Sequence, residues 1–202
     1  MKIHLTIKNM CCGRCIVEVK RIFEGLGLPP LQVNLGEVVV EKSIPEGLQE
    51  KLIKKLEDHG FALALSADEK LAVDIQTLLV TYLHEYLLAK EKALTISSYL
   101  SGKLFKSYKY LSKVFKQVTD ITIERYFIKL KVEKAKELLI LNEMDINEIA
   151  WLLGYSSSQN FSTHFKRETE KTPGEYKKEP IPERIHLPNL IPENLKQLQS
   201  LS

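Results

Sequence analysis

Asp145-Ile-Asn-Glu-Ile-Ala-Trp-Leu-Leu-Gly-Tyr-Ser-Ser-Ser-Gln-Asn-Phe-Ser-Thr-His-Phe-Lys166 reads as two short helices joined by one sharp turn. Ile146, Ile149, Ala150 and Leu153 recur at helical spacing and give the first helix an apolar stripe. Ala150 is small where two helices would cross, and Gly154 gives the backbone the freedom that a sharp turn needs. Tyr155, Phe161 and Phe165 anchor the second helix, which leaves its polar face free. This is the pattern of a helix-turn-helix unit. On the same reading Trp151 belongs to the core with the other aromatics, and His164 packs inside the second helix.

The layout has an earlier copy. Residues 100–116 also form a short helix, a turn containing a serine, and a second helix ending apolar-Ser-x-x-Phe-Lys. The spacing predicts helices over 95–104, 107–117, 121–141, 146–153 and 157–169. The long one, 121–141, buries Phe127, Leu130, Ala135, Leu138 and Leu139 and joins the two units. Residues 71–88 are also apolar at helical spacing. The tail 179–202 holds four of the eight prolines (Pro180, Pro182, Pro188 and Pro192) and reads as an extended appendage.

Residues 1–66 have a different rhythm. Ile3, Leu5 and Ile7 alternate as in a half-buried strand. Ile16, Val19, Ile22, Phe23 and Leu26 then follow helical spacing, stopped by Gly25, Gly27 and Pro29-Pro30. Residues 31–35 and 38–40 form a hairpin around Gly36-Glu37. A second helix carries Leu48, Leu52, Ile53 and Leu56; Ser43 or Ile44 caps it and Pro45 suits its first turn. His59-Gly60 ends it, and Phe61, Leu63 and Leu65 give a last strand. The order βαββαβ is that of a ferredoxin-like split βαβ unit. The expected class is α+β: a ferredoxin-like domain over 1–66, a linker or first helix over 67–90, an all-α double helix-turn-helix domain over 91–178, and the tail.

Composition is that of a globular protein, 44% hydrophobic and 27% charged. The net charge of +3 is unevenly placed: +1 over 1–66, −2 over 67–90, +5 over 91–178 and −1 over 179–202. A localised positive excess is a nucleic-acid footprint. No apolar run approaches a membrane span. The start has no signal-peptide core, so a cytoplasmic location is expected. No Ser/His/Asp set, phosphate loop or paired carboxylates indicate an enzyme. All three cysteines, Cys11, Cys12 and Cys15, lie within five positions, which excludes a disulfide framework. Cys12 and Cys15 form a C-x-x-C between the first strand and the first helix. The helix N-terminus favours thiolate there, and thiolates suit Cu(I) or Zn(II). A redox pair is the other chemistry of that spacing.

Two resemblances follow. Met10-x-Cys12-x-x-Cys15, the βαββαβ order and Gly60-Phe61 resemble the heavy-metal-associated, copper chaperone-like domain over about 1–66. That resemblance implies Cys12 and Cys15 as ligands and Met10 packed beneath the loop. Cys11 is an additional thiol and a third-ligand candidate, and Asn9 replaces a usual glycine. His59, in the loop before the last strand, is a further ligand candidate. Ile146-x-x-Ile-Ala, Gly154-Tyr155, Phe161-Ser-x-x-Phe-Lys166 and Thr172-Pro-x-x-Tyr176 resemble the AraC/XylS regulators. The earlier unit matches through Leu100, Leu104, Ser107, Tyr110-Leu-Ser112 and Phe115-Lys116, so this resemblance covers about 75–178. It implies that the second helix of each unit enters a DNA major groove. By motif position, Lys109, Ser112, Lys113, Ser158, Gln159, Asn160 and Thr163 face bases. Lys103, Lys106, Lys116, Lys166 and Arg167 face phosphates. The family often has glycine after each such helix, where this chain has Asp120 and Lys171.

The expected function is therefore sequence-specific regulation of transcription on double-stranded DNA, responsive to Cu(I) or Zn(II). Neither ion is needed for the fold, no membrane partner is expected, and a homodimer is compatible. The alternatives are a metal-independent regulator whose first domain only dimerises, and a metallochaperone with an appended interaction module.

Overall fold

The computed structural model describes residues 2–88 and 94–178; the expected proline-bearing tail lies outside the described residues. The first part runs β1 (Ile3–Lys8), α1 (Gly13–Gly25), β2 (Gln32–Asn34), β3 (Glu37–Val40), α2 (Glu46–Asp58) and β4 (Ala62–Leu63). The strands form one sheet in the order β2-β3-β1-β4, and every neighbouring pair is antiparallel. β1 and β2 therefore run the same way with β3 between them. Ile3 sits opposite Val40 and Leu5 opposite Val38, so the alternation of β1 meets that of β3 on one face. That face and the stripes of both helices close a core of Ile7, Val19, Phe23, Val38, Leu52 and Leu56. Burying a large aliphatic or aromatic side chain of this kind contributes about 1.5–3 kcal/mol.

Three local expectations change. The last strand is only two residues long. Phe61 and Ala64 are buried while Leu65 is exposed, because the chain turns into the next helix before the alternation can continue. Asn34 pairs with Glu37, so the hairpin turn is Leu35-Gly36 rather than Gly36-Glu37. Pro45 itself is the residue before α2, and no side chain caps that helix.

The second part is helical: α3 (Ala67–Leu88), α4 (Ile96–Leu104), α5 (Tyr108–Thr119), α6 (Ile123–Leu141), α7 (Ile146–Leu152), α8 (Ser158–Thr169) and α9 (Pro173–Lys177). Helix starts are marked by Thr95, Ser107, Thr122, Asp145, Ser157 and Thr172. Each side chain accepts a hydrogen bond from the amide three residues on. Each such cap contributes about 1 kcal/mol. Helix ends use left-handed residues at Phe105, Asp120, Asn142 and Glu170. Asp120 is as expected, whereas after α8 the left-handed residue is Glu170 and not Lys171. α9 was not anticipated as a helix. It is short, and its Thr172/Glu175 capping box makes it stable.

α3 packs on both parts. Its residues Ile75, Leu79, Tyr82 and Leu83 belong to the helical core with Leu100, Phe115, Leu130, Ala135, Ile149, Phe161 and Phe165. On its other side it meets the hairpin. A Cβ at Gly36, whose φ is +78°, would fall 2.7 Å from Val73 Cγ1 and 2.9 Å from Thr77 Oγ1. Lys8 of β1 bonds Glu69 of α3 at 2.6 Å. That lysine, with the Ser66 and Leu65 amides, holds the Glu69 carboxyl down at about 2.

Candidate nucleic-acid interface and thiol cluster

In the second helix-turn-helix unit, α7 and α8 meet through Leu153-Gly154-Tyr155. Gly154 has φ +71°, and a Cβ there would run into the Tyr86 phenol of α3, with Cζ at 2.8 Å. Both the turn and this close approach require glycine. Beneath α8 the rings of Tyr155, Phe161, Phe165 and Tyr176 meet in sequence, tilted or edge-on, with centroids 5.4, 5.7 and 5.5 Å apart. The opposite face presents Gln159, Asn160 and Thr163 to solvent, with Ser158 half-buried at the helix start. Thr163 donates to the Gln159 carbonyl at 2.9 Å, and the Asn160 amide donates to Ser156 Oγ at 3.1 Å. Gln159 projects into solvent and has the reach for a base edge.

Lys166 and Arg167 lie exposed in the last turn of α8. Arg167 leans on Glu168 at 3.4 Å, and Glu168 pairs more tightly with Arg125 of α6 at 2.7 Å. His164 faces the Tyr155 ring at 5.6 Å, and its Nδ1 is buried without a hydrogen-bond partner. Burial, and then the nearby Arg167, Lys131 and Arg125 charges, lower its pKa from 6.5. Trp151 corrects an expectation: it is 72% exposed. Ile149, Ala150 and Leu153 occupy the inner face of α7, and Trp151 falls on the outer one.

In the first unit, α5 buries Leu111, Val114 and Phe115. Its outer face shows Lys109, Lys113 and Lys116, with Ser112 half-buried. Lys106 lies over the Tyr110 ring at 5.4 Å and Lys103 over Tyr99 at 5.6 Å, which restrains two cations beside the helix. The turn uses Phe105, left-handed and 92% exposed.

The cysteines gather in the loop before α1. Cys15 Sγ lies 3.8 Å from Cys11 Sγ and 3.7 Å from Cys12 Sγ, and all three sulfurs fall within 4.8 Å of one another. Cys12 precedes the first turn of α1. Hydrogen bonds from the Cys11 and Cys15 thiols, then from the Cys15 and Arg14 amides, push its pKa well down. Cys11 is pushed up by the same two thiol partners and by burial. Met10 is 2% exposed beneath the loop. Asn9 takes the left-handed turn at φ +70°, and its amide donates to the Gly60 carbonyl at 2.9 Å. His59 does not join the sulfurs. It ends α2, and its Nδ1 lies 3.0 Å from the Glu18 carboxylate of α1.

The loop sits where the two parts meet. Met10 and Cys15 pack into the first core, whereas Cys11 packs against the helical one. A cavity of about 180 Å³ opens there, lined by Cys11 and Cys12, by Leu83 and Leu87 of α3 and by Leu130 and Glu133 of α6. The sequence did not single out Tyr126, which lines a neighbouring cleft with Cys11. It stands next to the predicted stripe residue Phe127, and spacing within one helix cannot show which loop folds over it. Nor was Tyr86 singled out, since only the fold brings it under Gly154.

A family model described as a helix-turn-helix domain matches residues 100–179, a span that leaves the cysteines outside it. Over 72 residues the chain is 36% identical to an uncharacterized HTH-type transcriptional regulator in the cgkA 5' region of Pseudoalteromonas carrageenovora. That alignment covers 36% of this chain and 42% of the relative. Over 67 residues it is 39% identical to the HTH-type transcriptional activator RhaS of Escherichia coli, covering 33% and 24%. The chain thus spans less than half of the length of these curated relatives. Among solved structures, the C-terminal domain of the two-component response regulator yesN from Fusobacterium nucleatum is 31% identical. It aligns over 52% of this chain and 99% of its own, with a TM-score of 0.42. No helix among the described residues is long and apolar enough to cross a membrane. Residues 100–179 thus form a helix-turn-helix domain similar to that of HTH-type transcriptional regulators.

Proposed function

We propose that this protein regulates transcription by sequence-specific binding to double-stranded DNA, and that a thiophilic ion, Cu(I) or Zn(II), held at Cys11, Cys12 and Cys15 changes its DNA affinity. The DNA reading rests on two helix-turn-helix units whose second helices carry exposed polar and basic faces. Gln159, Asn160 and Thr163 with Ser158, and Lys109 and Lys113 with Ser112, address base edges. Lys103, Lys106, Lys116, Lys166 and Arg167 address phosphates. The ion reading rests on one observation: three soft donors converge at the junction of the two parts. The βαββαβ order and buried Met10 support a heavy-metal-associated, ferredoxin-like origin for the first part. Cys12 is poised as thiolate at the start of a helix whose amides favour negative charge, and Cys15 lies in its first turn. An ion can shift the DNA equilibrium only through different affinities for the two protein states, and the junction is where those states would differ.

The test is a gel shift on DNA selected from a random pool, in reducing buffer, with and without Cu(I) or Zn(II). A change in affinity that Cys12→Ser/Cys15→Ser abolishes supports the reading. Identical affinity with and without both ions would sink the ion response and leave the DNA function standing.

A further inference from the structure

The three thiols differ in what they touch. Cys15 packs with Met10 in the first core, while Cys11 alone of the three packs against the helical core. Cys11 also lines a cleft with Tyr126 and Leu130 of α6. The Tyr126 ring stands edge-on to Phe115, 5.5 Å between centroids at 69°. Phe115 is the fully buried anchor of α5, the second helix of the first unit. Cys11 and Tyr126 thus share one cleft, and Tyr126 in turn contacts a helix carrying Lys109 and Lys113.

All three sulfurs fall within 4.8 Å of one another, with Cys15 Sγ 3.8 Å from Cys11 Sγ and 3.7 Å from Cys12 Sγ, so one ion with metal–sulfur bonds of about 2.3 Å can reach all three. Resting on the ion-binding reading above, we infer that all three thiolates hold the ion and that Cys11, rather than the C-x-x-C pair, passes its presence to α5 through Tyr126. Once Cys11 is a ligand, its side chain is fixed relative to Cys12 and Cys15, and its packing on the helical core and in the cleft it shares with Tyr126 changes with it. Coupling of this kind changes affinity about 5- to 150-fold.

The full chain is loaded with one equivalent of Cu(I), and the thiols left open to a chromogenic thiol reagent are counted. Protection of all three thiols is expected in the parent protein. Cys11→Ser should still bind Cu(I) with both remaining thiols protected, yet lose the ion-dependent shift in DNA affinity. Tyr126→Leu should protect three thiols, keep its helical circular dichroism and lose most of the shift. The inference is overturned if one thiol of the parent stays reactive, or if Cys11→Ser shifts like the parent. It is also overturned if Tyr126→Leu, folded and loaded, shifts like the parent. A parent protein whose DNA affinity ignores bound Cu(I) overturns the ion-response reading itself, and this inference with it.

Discussion

The two helix-turn-helix units share a layout and divide their chemistry. The turn of the second has Gly154 at φ +71°, pressed against Tyr86; the turn of the first has Phe105 in the same left-handed region, with its ring in solvent. One turn is dictated by packing and the other is merely tolerated. The outward faces differ as well. α5 carries Lys109, Lys113 and Lys116, long flexible cations that can reach a guanine edge or a phosphate. α8 carries Gln159, Asn160 and Thr163, whose value depends on reaching a particular base edge. Both units carry cations, but the first relies on lysines for its base contacts while the second adds amide and hydroxyl groups suited to selection.

The sharpest way to break this comparison is at the turns. Gly154→Val should cost more than about 3 kcal/mol, since a branched side chain combines left-handed strain with collision against Tyr86. Phe105→Gly at the corresponding turn should instead stabilise by up to about 1 kcal/mol, because strain is relieved and no buried contact is lost. Thermal melts of the two variants, moving in opposite directions, test both turns. Two downward shifts of similar size would show that Phe105 is packed as firmly as Gly154.

The division of labour is tested next. Gln159→Ala should reduce preference for the selected site over unrelated DNA by about 1–3 kcal/mol, with the salt dependence nearly unchanged. Lys116→Gln should weaken both kinds of DNA alike and lower the slope of log affinity against log salt by about 0.9. Fluorescence anisotropy titrations across salt concentrations separate the two. Should Lys116→Gln alter sequence preference and Gln159→Ala only the slope, the roles are reversed.

The smallest effect concerns pH. His164 lies in the second helix of the second unit, and no histidine lies in that of the first. Burial lowers its folded pKa below the ordinary 6.5. The unfolded chain then binds the proton more readily, so stability is full above about 6.5 and declines as pH falls through that value. Denaturant melts at pH 7.5 and 5.5 should show a loss that His164→Asn reduces. An equal loss in both proteins would place the titration elsewhere.

Much of this was legible from spacing. Ile149, Ala150, Leu153, Phe161 and Phe165 recur as helix packing demands, and all are buried. The stripe of α6 behaved likewise, because a long amphipathic helix leaves little ambiguity about its inner face. Trp151 was misjudged because bulk alone argued for burial, whereas its angular position put it outside. The last strand was overextended because Leu65 continued an alternation after the pairing with β1 had ended. The thiols were recognisable by type and interval, but His59 was grouped with them on proximity in a generic fold, and Glu18 holds it instead.

The sequence by itself determined the elements, the two helix-turn-helix units and the presence of three neighbouring thiols, since these depend on periodicity and short-range spacing. Only the tertiary structure decided that α3 joins both parts, that Gly154 answers to Tyr86, and that Cys11 faces the helical core while Cys15 faces the other. Such contacts join residues far apart in the chain, and the packing of two separate cores selects them.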